Sequence, residues 1–134
     1  MDNDGPGFST LSGDWGTAES TDGNGSYGPD FRYILADQTN VARARFAAGV
    51  ASEGNYEVCI WWSAAPNRTT SQTVIVHDAY GNNTTYHVNL QENGNGWFFL
   101  GNHTLSPTDS YVEFNSDTAA AGYCNADAVR FRRR

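Results

Sequence analysis

Four aromatic residues stand where their rings could stack on the flat apolar face of a sugar. Trp61 is next to Trp62 in the run Asn55–Ser63, so the two indoles of a pleated strand would point to opposite faces. If Trp62 is buried, Trp61 faces the other side and can be exposed, unless a neighbouring strand or loop covers it. Sugar recognition requires such rings with polar side chains beside them. The predicted ligand-binding residues are Trp61, Tyr27, Tyr33 and Tyr80.

The sequence lacks the residue patterns typical of enzyme active sites. Its three histidines are isolated, and it contains neither a Gly-x-Ser-x-Gly turn nor a His-Glu-x-x-His helix. A carboxylate pair for glycoside hydrolysis would be possible, but no motif supports one. The acidic start, Asp2–Gly7, lacks the third ligand and the distal Glu of a calcium loop. We therefore predict a protein that is not an enzyme and uses neither a cofactor nor a metal ion.

Two cysteines and five glycosylation sequences bear on the compartment. Cys59 and Cys124 are too few for a metal site, and their spacing fits no redox motif. They are either two separate buried thiols or a disulfide, which would close a loop of about 65 residues and stabilise the fold by about 4 kcal/mol. Together with the absence of Lys, they favour an oxidising, extracellular or cell-surface location. The candidate N-glycosylation sites are Asn24, Asn67, Asn82, Asn83 and Asn102.

Length and charge restrict the domain count and the partners. A chain of 134 residues can build one hydrophobic core, so we predict a single domain over residues 1–134. The formal net charge of −7 argues against nucleic acid as a partner. No apolar run approaches the roughly 20 residues of a membrane span, so we predict no membrane insertion. The acidic start and the Arg-rich end, Arg130–Arg134, are either solvated termini or complementary ends that join successive copies.

The hydrophobic pattern predicts strands. Along residues 56–62 a pleated strand would place Tyr56, Val58, Ile60 and Trp62 on one face and Glu57, Cys59 and Trp61 on the other, and we interpret this run as a central strand with Trp62 inward. Gln72–His77 and Thr84–Leu90 flank a turn and predict a hairpin, and Ala126–Phe131 is predicted as the last strand. No segment shows a sustained helical period. Roughly eight strands of this spacing predict an all-β fold, an antiparallel β-sandwich of jelly-roll type.

Several short motifs, in this order, resemble the golvesin C-terminal-like domain, a module also found at the end of xanthan-lyase-like and other secreted bacterial proteins. The resemblance covers nearly the whole chain and implies an extracellular, non-catalytic β-sandwich for which carbohydrate binding is commonly inferred. The matching segments are Asp2–Phe8, Gly13–Trp15, Tyr27–Tyr33, Tyr56–Val58, Asn67–Arg68, Val88–Gln91, Trp97–Gly101, Gly122–Tyr123 and Ala126–Phe131.

The chain departs from the family pattern in three ways: at its two cysteines, at Trp61, and in the tail Arg132–Arg134, which lies beyond the usual end of the family pattern. Family members tend to have an aromatic residue at position 59 and an aliphatic one at position 124. The joint presence of Cys59 and Cys124 therefore favours a disulfide between the central and last strands. Trp61 stands where the family commonly has a polar or basic residue, whereas Trp62 and Trp97 match inward positions.

Two functions agree with these observations. The first is a non-catalytic extracellular carbohydrate-binding or adhesion module of a secreted bacterial protein, whose partner is a polysaccharide or glycan. The second is a glycosylated structural subunit that assembles with further copies of itself into an extracellular fibril or surface layer. Trp61 would be a sugar platform in the first case and an interface anchor in the second.

Overall fold

A computed structural model describes residues 2, 5, 7–19 and 30–134, and in these ranges it has eleven strands and no helix. No element in the described ranges is therefore a helix long and apolar enough to cross a membrane. The strands are β1 (Phe8–Ser12), β2 (Gly16–Glu19), β3 (Asp30–Leu35), β4 (Arg43–Ala47), β5 (Gly54–Trp61), β6 (Gln72–His77), β7 (Asn83–Val88), β8 (Phe98–Leu105), β9 (Tyr111–Asn115), β10 (Tyr123–Ala126) and β11 (Ala128–Arg133).

The strands form three antiparallel sheets. The large sheet has the order β1-β4-β9-β6-β7, the β5 sheet has the order β11-β5-β8, and the β3 sheet has the order β10-β3-β2. The predicted all-β antiparallel sandwich is confirmed. The predicted last strand is wrong in one respect, because the chain changes sheets at Asp127. Residues 123–126 pair with β3, and residues 128–133 pair with β5.

The hydrophobic core lies between the large sheet and the β5 sheet. In the strands that face this core, alternate residues point inward, and most of the inward residues are aromatic or β-branched. Trp62 is only 1% exposed, as its place in the pattern predicts. The large sheet contributes Phe46, Val74, Val76, Val112 and Phe114, and the β5 sheet contributes Tyr56, Val58, Ile60 and Val129.

The predicted central strand and the predicted hairpin are both confirmed. β5 lies between β11 and β8, with Ile60 opposite Val129 on one side and Phe98 on the other. β6 and β7 pair antiparallel over their full lengths, from Gln72 opposite Val88 onwards. The sequence predicts fewer strands than are present, since β2 and β10 have four residues each and are too short to show a two-residue period.

The expected disulfide is not present, because Cys59 and Cys124 are both free and buried. Cys59 lies on the face of β5 opposite to Val58, with its Sγ 3.7 Å from Nη2 of Arg130. Cys124 lies in a different sheet, two residues before Ala126 and hence on the same core-facing side of β10. The Cys59 thiol therefore points away from the core and the Cys124 thiol points towards it, so the two do not face each other.

Both thiols are expected to react only after unfolding. Burial raises the pKa of Cys124 to about 12, so this thiol stays protonated at neutral pH, and Cys59 is 4% exposed. Titration with a thiol-reactive aromatic disulfide should detect no rapidly reacting thiol in the native protein. The same titration in denaturant, without reductant, should detect both. If denaturant exposes no thiol until a reductant is added, the two cysteines are bridged after all.

Candidate functional site

Two tyrosines from neighbouring strands form an aromatic patch on the β3 sheet, which we call the tyrosine surface. The rings of Tyr33 on β3 and Tyr123 on β10 meet edge to face, with centroids 5.6 Å apart and planes at 79°. Tyr33 is opposite Asn125 and Tyr123 is opposite Leu35, so the two tyrosines are diagonal neighbours on one face. Both are partly exposed. The surface can therefore present aromatic carbon to a ligand.

Gly16 on β2 fixes the position of one of these rings. It lies directly opposite Tyr33 in the sheet, and a β-carbon at this position would be 2.5 Å from Cζ of Tyr33 and 2.8 Å from its hydroxyl oxygen. A β-carbon essentially never lies this close to an atom that it is not bonded to, so the ring can lie across β2 only because residue 16 has no side chain.

Gly16→Ala is therefore expected to displace the Tyr33 ring. Gly96→Ala is the matched control, because a β-carbon there would have no atom within 4 Å. Aromatic NMR should show shifted Tyr33 and Tyr123 ring signals in the first variant and unshifted ones in the second. Unchanged ring signals in Gly16→Ala would contradict the packing of Tyr33 across β2.

A loop lies along the open edge of β10 and brings polar side chains next to the tyrosine surface. Tyr123 N–H donates to Asn67 O, and Thr69 N–H donates to Tyr123 O, both at 2.9 Å. Gly122 permits this close approach, because its φ is 124° and a β-carbon there would be 2.8 Å from the backbone of Arg68. Arg68 consequently forms a parallel bridge with Tyr123.

The Arg68 side chain is held by neutral groups. Its Nε donates to Ser63 O at 2.8 Å, its Nη1 to Asn67 Oδ1 at 2.5 Å and its Nη2 to Ser63 Oγ at 3.3 Å. The guanidinium carbon is 5.1 Å from the centre of the Phe31 ring, a cation–π contact. Burial lowers the pKa of Arg68. A guanidinium nevertheless keeps its charge at any ordinary pH.

Two clefts flank the tyrosine surface, and both are lined by Tyr33 and Tyr123. The Arg68 cleft, of about 360 Å³, is completed by Ala18, Phe31, Asn67 and Arg68. The Asp37 cleft, of about 450 Å³, includes Asp14, Asp37 and Asn40. Volumes of this size suit small ligands or single sugar residues. The tyrosine surface thus lies between two clefts of different chemistry. The Arg68 cleft offers a guanidinium and an amide, and the Asp37 cleft offers carboxylates.

The carboxylate of Asp37 is ionised at neutral pH. Backbone hydrogen bonds from Asn40 and Thr39 lower its pKa; the nitrogens lie 3.0 and 2.9 Å from Oδ1. A carboxylate can accept about four hydrogen bonds, and the two backbone N–H groups provide only two of them. The group can therefore accept further hydrogen bonds from ligand hydroxyls.

The structure separates the four residues predicted to bind a ligand. Tyr33 belongs to the tyrosine surface, and Tyr80 is 71% exposed in the turn between β6 and β7. Trp61 lies in the β5 sheet, and Tyr27 lies outside the described residues.

Trp61 belongs to a second aromatic cluster. It is half-buried and lies on the face of β5 opposite to Trp62. The Trp97 ring meets it edge to face at 5.5 Å, and the guanidinium of Arg130 lies 4.9 Å from the centre of the Trp97 ring. Trp61 is therefore outside the hydrophobic core but is partly covered, so it offers less free ring than a bare platform would.

A third cleft, of about 430 Å³, lies between the edge strands β7 and β8 and is lined by Trp62, Phe98 and Leu100 among others. Tyr86 of β7 and His103 of β8 join these edges through a 2.8 Å contact between Oη and Nε2. The Asn89 side chain in this cleft already bonds Glu92 and the backbone of Gln91. We interpret the cleft as the gap between two sheet edges.

Two site residues, Tyr123 and Arg68, were not predicted from the sequence. Both occur in segments that match the family, but only the pairing of the loop with β10 shows that they adjoin Tyr33.

Asn67 was predicted as a glycosylation site and lines the Arg68 cleft. Asn82, Asn83 and Asn102 are exposed, Asn24 is outside the described residues, and glycosylation at all five stays a prediction. In the described ranges, no three His, Cys, Asp or Glu residues are grouped as a metal site would require.

The sequence model of the Golvesin C-terminal domain family matches residues 1–133. The chain belongs to this family. Its full length is also similar to part of Paenibacillus xanthan lyase, with a TM-score of 0.88 and 28% sequence identity, and it covers 13% of that chain. The family predicted from the sequence motifs is thus confirmed.

A smaller solved protein shares the fold of this golvesin C-terminal domain. A family 35 carbohydrate binding module from Clostridium thermocellum is 13% identical, with a TM-score of 0.66, over 98% of this chain and 96% of that one. At this identity the similarity establishes a common fold. No curated protein sequence matches the chain.

Proposed function

We propose that this golvesin C-terminal domain is a non-catalytic carbohydrate-binding module of a secreted bacterial protein, and that it binds its glycan on the tyrosine surface. The observation that carries this proposal is the Tyr33–Tyr123 pair between two clefts lined by amide, guanidinium and carboxylate groups. Aromatic rings can stack on the apolar face of a sugar, and the polar groups on both sides can bond its hydroxyls.

The comparisons support this proposal at the level of the module. The chain is similar to a region that makes up 13% of a xanthan lyase, which fits a module accompanying a larger enzyme. It also shares its fold with nearly the whole of a carbohydrate binding module. Because one fold can host many functions, the argument for binding depends on the side chains of the site.

The alternative of self-assembly is motivated in part by complementary charged ends, and both ends contact their own chain. Arg132 forms an ion pair with Glu57 at 2.9 Å, and Arg133 donates to Ser52 Oγ at 2.8 Å. At the other end, Asp2 forms an isolated β-bridge with Ala128. Arg132 and Arg133 are thus bound within their own chain, which leaves fewer arginines for joining successive copies, so we favour the binding module.

Affinity gel electrophoresis and a glycan array would test the proposal. The purified chain should be retained by at least one polysaccharide, and a soluble oligosaccharide of the same type should compete. A chain that binds no glycan in a panel of plant, bacterial and animal polysaccharides would contradict the proposed function.

A further inference from the structure

We propose that the Arg68 cleft selects a sugar that carries a carboxylate, such as a uronic acid residue in an acidic polysaccharide. This inference rests on the proposed function, because it names the class of glycan that the same site would bind. It is carried by one observation: a buried guanidinium lines the cleft and has no carboxylate partner among the side chains that the structure describes.

Arg68 differs from three arginines that form ion pairs elsewhere in the fold. Arg43 and Arg45 both lie beside Glu113, and Arg132 lies beside Glu57. Arg68 is only 9% exposed, yet among the side chains that the structure describes, which do not include those of Glu19 and Asp30, no carboxylate is within ion-pairing distance of it. A buried charge without a counter-charge is unfavourable. An anionic ligand would supply the missing charge.

The Arg68 guanidinium also has N–H donors that are not used by the described part of the protein. Of its five N–H groups, three donate to Ser63 and Asn67. One N–H on Nη1 and one on Nη2 remain without a protein acceptor in the described part of the chain. A carboxylate with two oxygens can accept from both nitrogens, and such charge-assisted bonds are about twice as strong as neutral ones.

The neighbouring groups would orient an acidic sugar. Tyr33 and Tyr123 line the same cleft as Arg68, so a pyranose ring can stack there while its carboxylate points to the guanidinium. On the other side of the tyrosine surface, Asp14 and Asp37 would repel a carboxylate and accept hydroxyl hydrogens instead. The net charge of −7 acts weakly on this contact, because physiological salt screens charges beyond about 8 Å.

Methyl esterification of the ligand tests the inference on the unaltered protein. The probes are oligosaccharides of glucuronate, galacturonate and mannuronate, and the methyl esters of the same oligosaccharides, titrated by calorimetry. The ester removes the charge and keeps the ring. We expect at least one acid form to bind ten-fold or more tightly than its ester.

Variants of the protein then assign the preference to Arg68. Arg68→Gln should bind the acid form and the ester equally, with the affinity that the wild type has for the ester. Arg130→Gln, which removes an arginine beside Trp97, should keep the wild-type preference. Because Arg68 also holds the loop at Ser63, circular dichroism and a thermal melt should accompany each variant. Arg68→Lys restores charge without the paired donors and should recover only part of the preference.

The outcomes separate this inference from the proposed function. If neutral glycans bind and every acid form binds no better than its ester, the inference is wrong and the binding module stands. A preference for acid forms that survives in folded Arg68→Gln also overturns it. If no glycan binds at all, acidic or neutral, the proposed function itself fails.

Discussion

Tyr33→Ala is expected to lower the affinity for glycan by at least ten-fold, which corresponds to about 1.4 kcal/mol. The ring lies at the centre of the site, between the Arg68 cleft and the Asp37 cleft, and it lines both. Binding energy is commonly concentrated in a few aromatic anchors of this kind, and truncating one can cost about 2 kcal/mol or more. Isothermal titration with the oligosaccharide found in the glycan screen would measure the change.

Three control variants make this result specific. Tyr33→Phe keeps the ring and should retain most of the affinity. Tyr80→Ala removes a tyrosine that is 71% exposed in the turn between β6 and β7 and lines neither cleft, so it should leave the affinity unchanged. Trp61→Ala tests the other aromatic cluster. If it abolishes binding while folded Tyr33→Ala binds normally, the glycan binds on the β5 sheet and the tyrosine surface is not the binding site.

The fold could be predicted from the sequence because its main strands carry a regular pattern. Val58 and Ile60 point into the core and Trp61 points away from it, as the alternation requires. The pattern gives no information about which sheet a short strand joins. β10 and β11 therefore could not be separated in advance, since the change of sheet takes place at a single residue, Asp127.

The site could be predicted only in part, because it depends on contacts between distant segments. Tyr33 was predicted from its type and its place beside a loop. Arg68 and Tyr123 are 55 residues apart and become neighbours through one loop that pairs with the edge of β10.

The cysteines show the same dependence on contacts between distant segments. Their presence suggested a bridge, but which side of each strand faces the core decides whether Cys59 and Cys124 can meet.

A single buried side chain, Gln72, couples the site to the large sheet. Its Nε2 donates to Asn125 O at 2.7 Å, and Asn125 N–H donates to its Oε1 at 2.8 Å. The amide of Gln72 thus bonds the free edge of β10 as a backbone peptide of another strand would. It is 0% exposed. β10 carries Tyr123, so this contact helps to hold the tyrosine surface in place.

Gln72→Leu is expected to lower the free energy of unfolding by about 2–6 kcal/mol, because two buried backbone groups would each lose a partner at about 1–3 kcal/mol. Urea denaturation should show a lower midpoint with an unchanged slope. Gln38→Leu, the same change at an exposed position, should have little effect. Amide hydrogen exchange should show reduced protection at Asn125 in the first variant. If Gln72→Leu is as stable as the wild type, β10 is held by its pairing with β3 and the loop alone, and the amide contact does not position Tyr123.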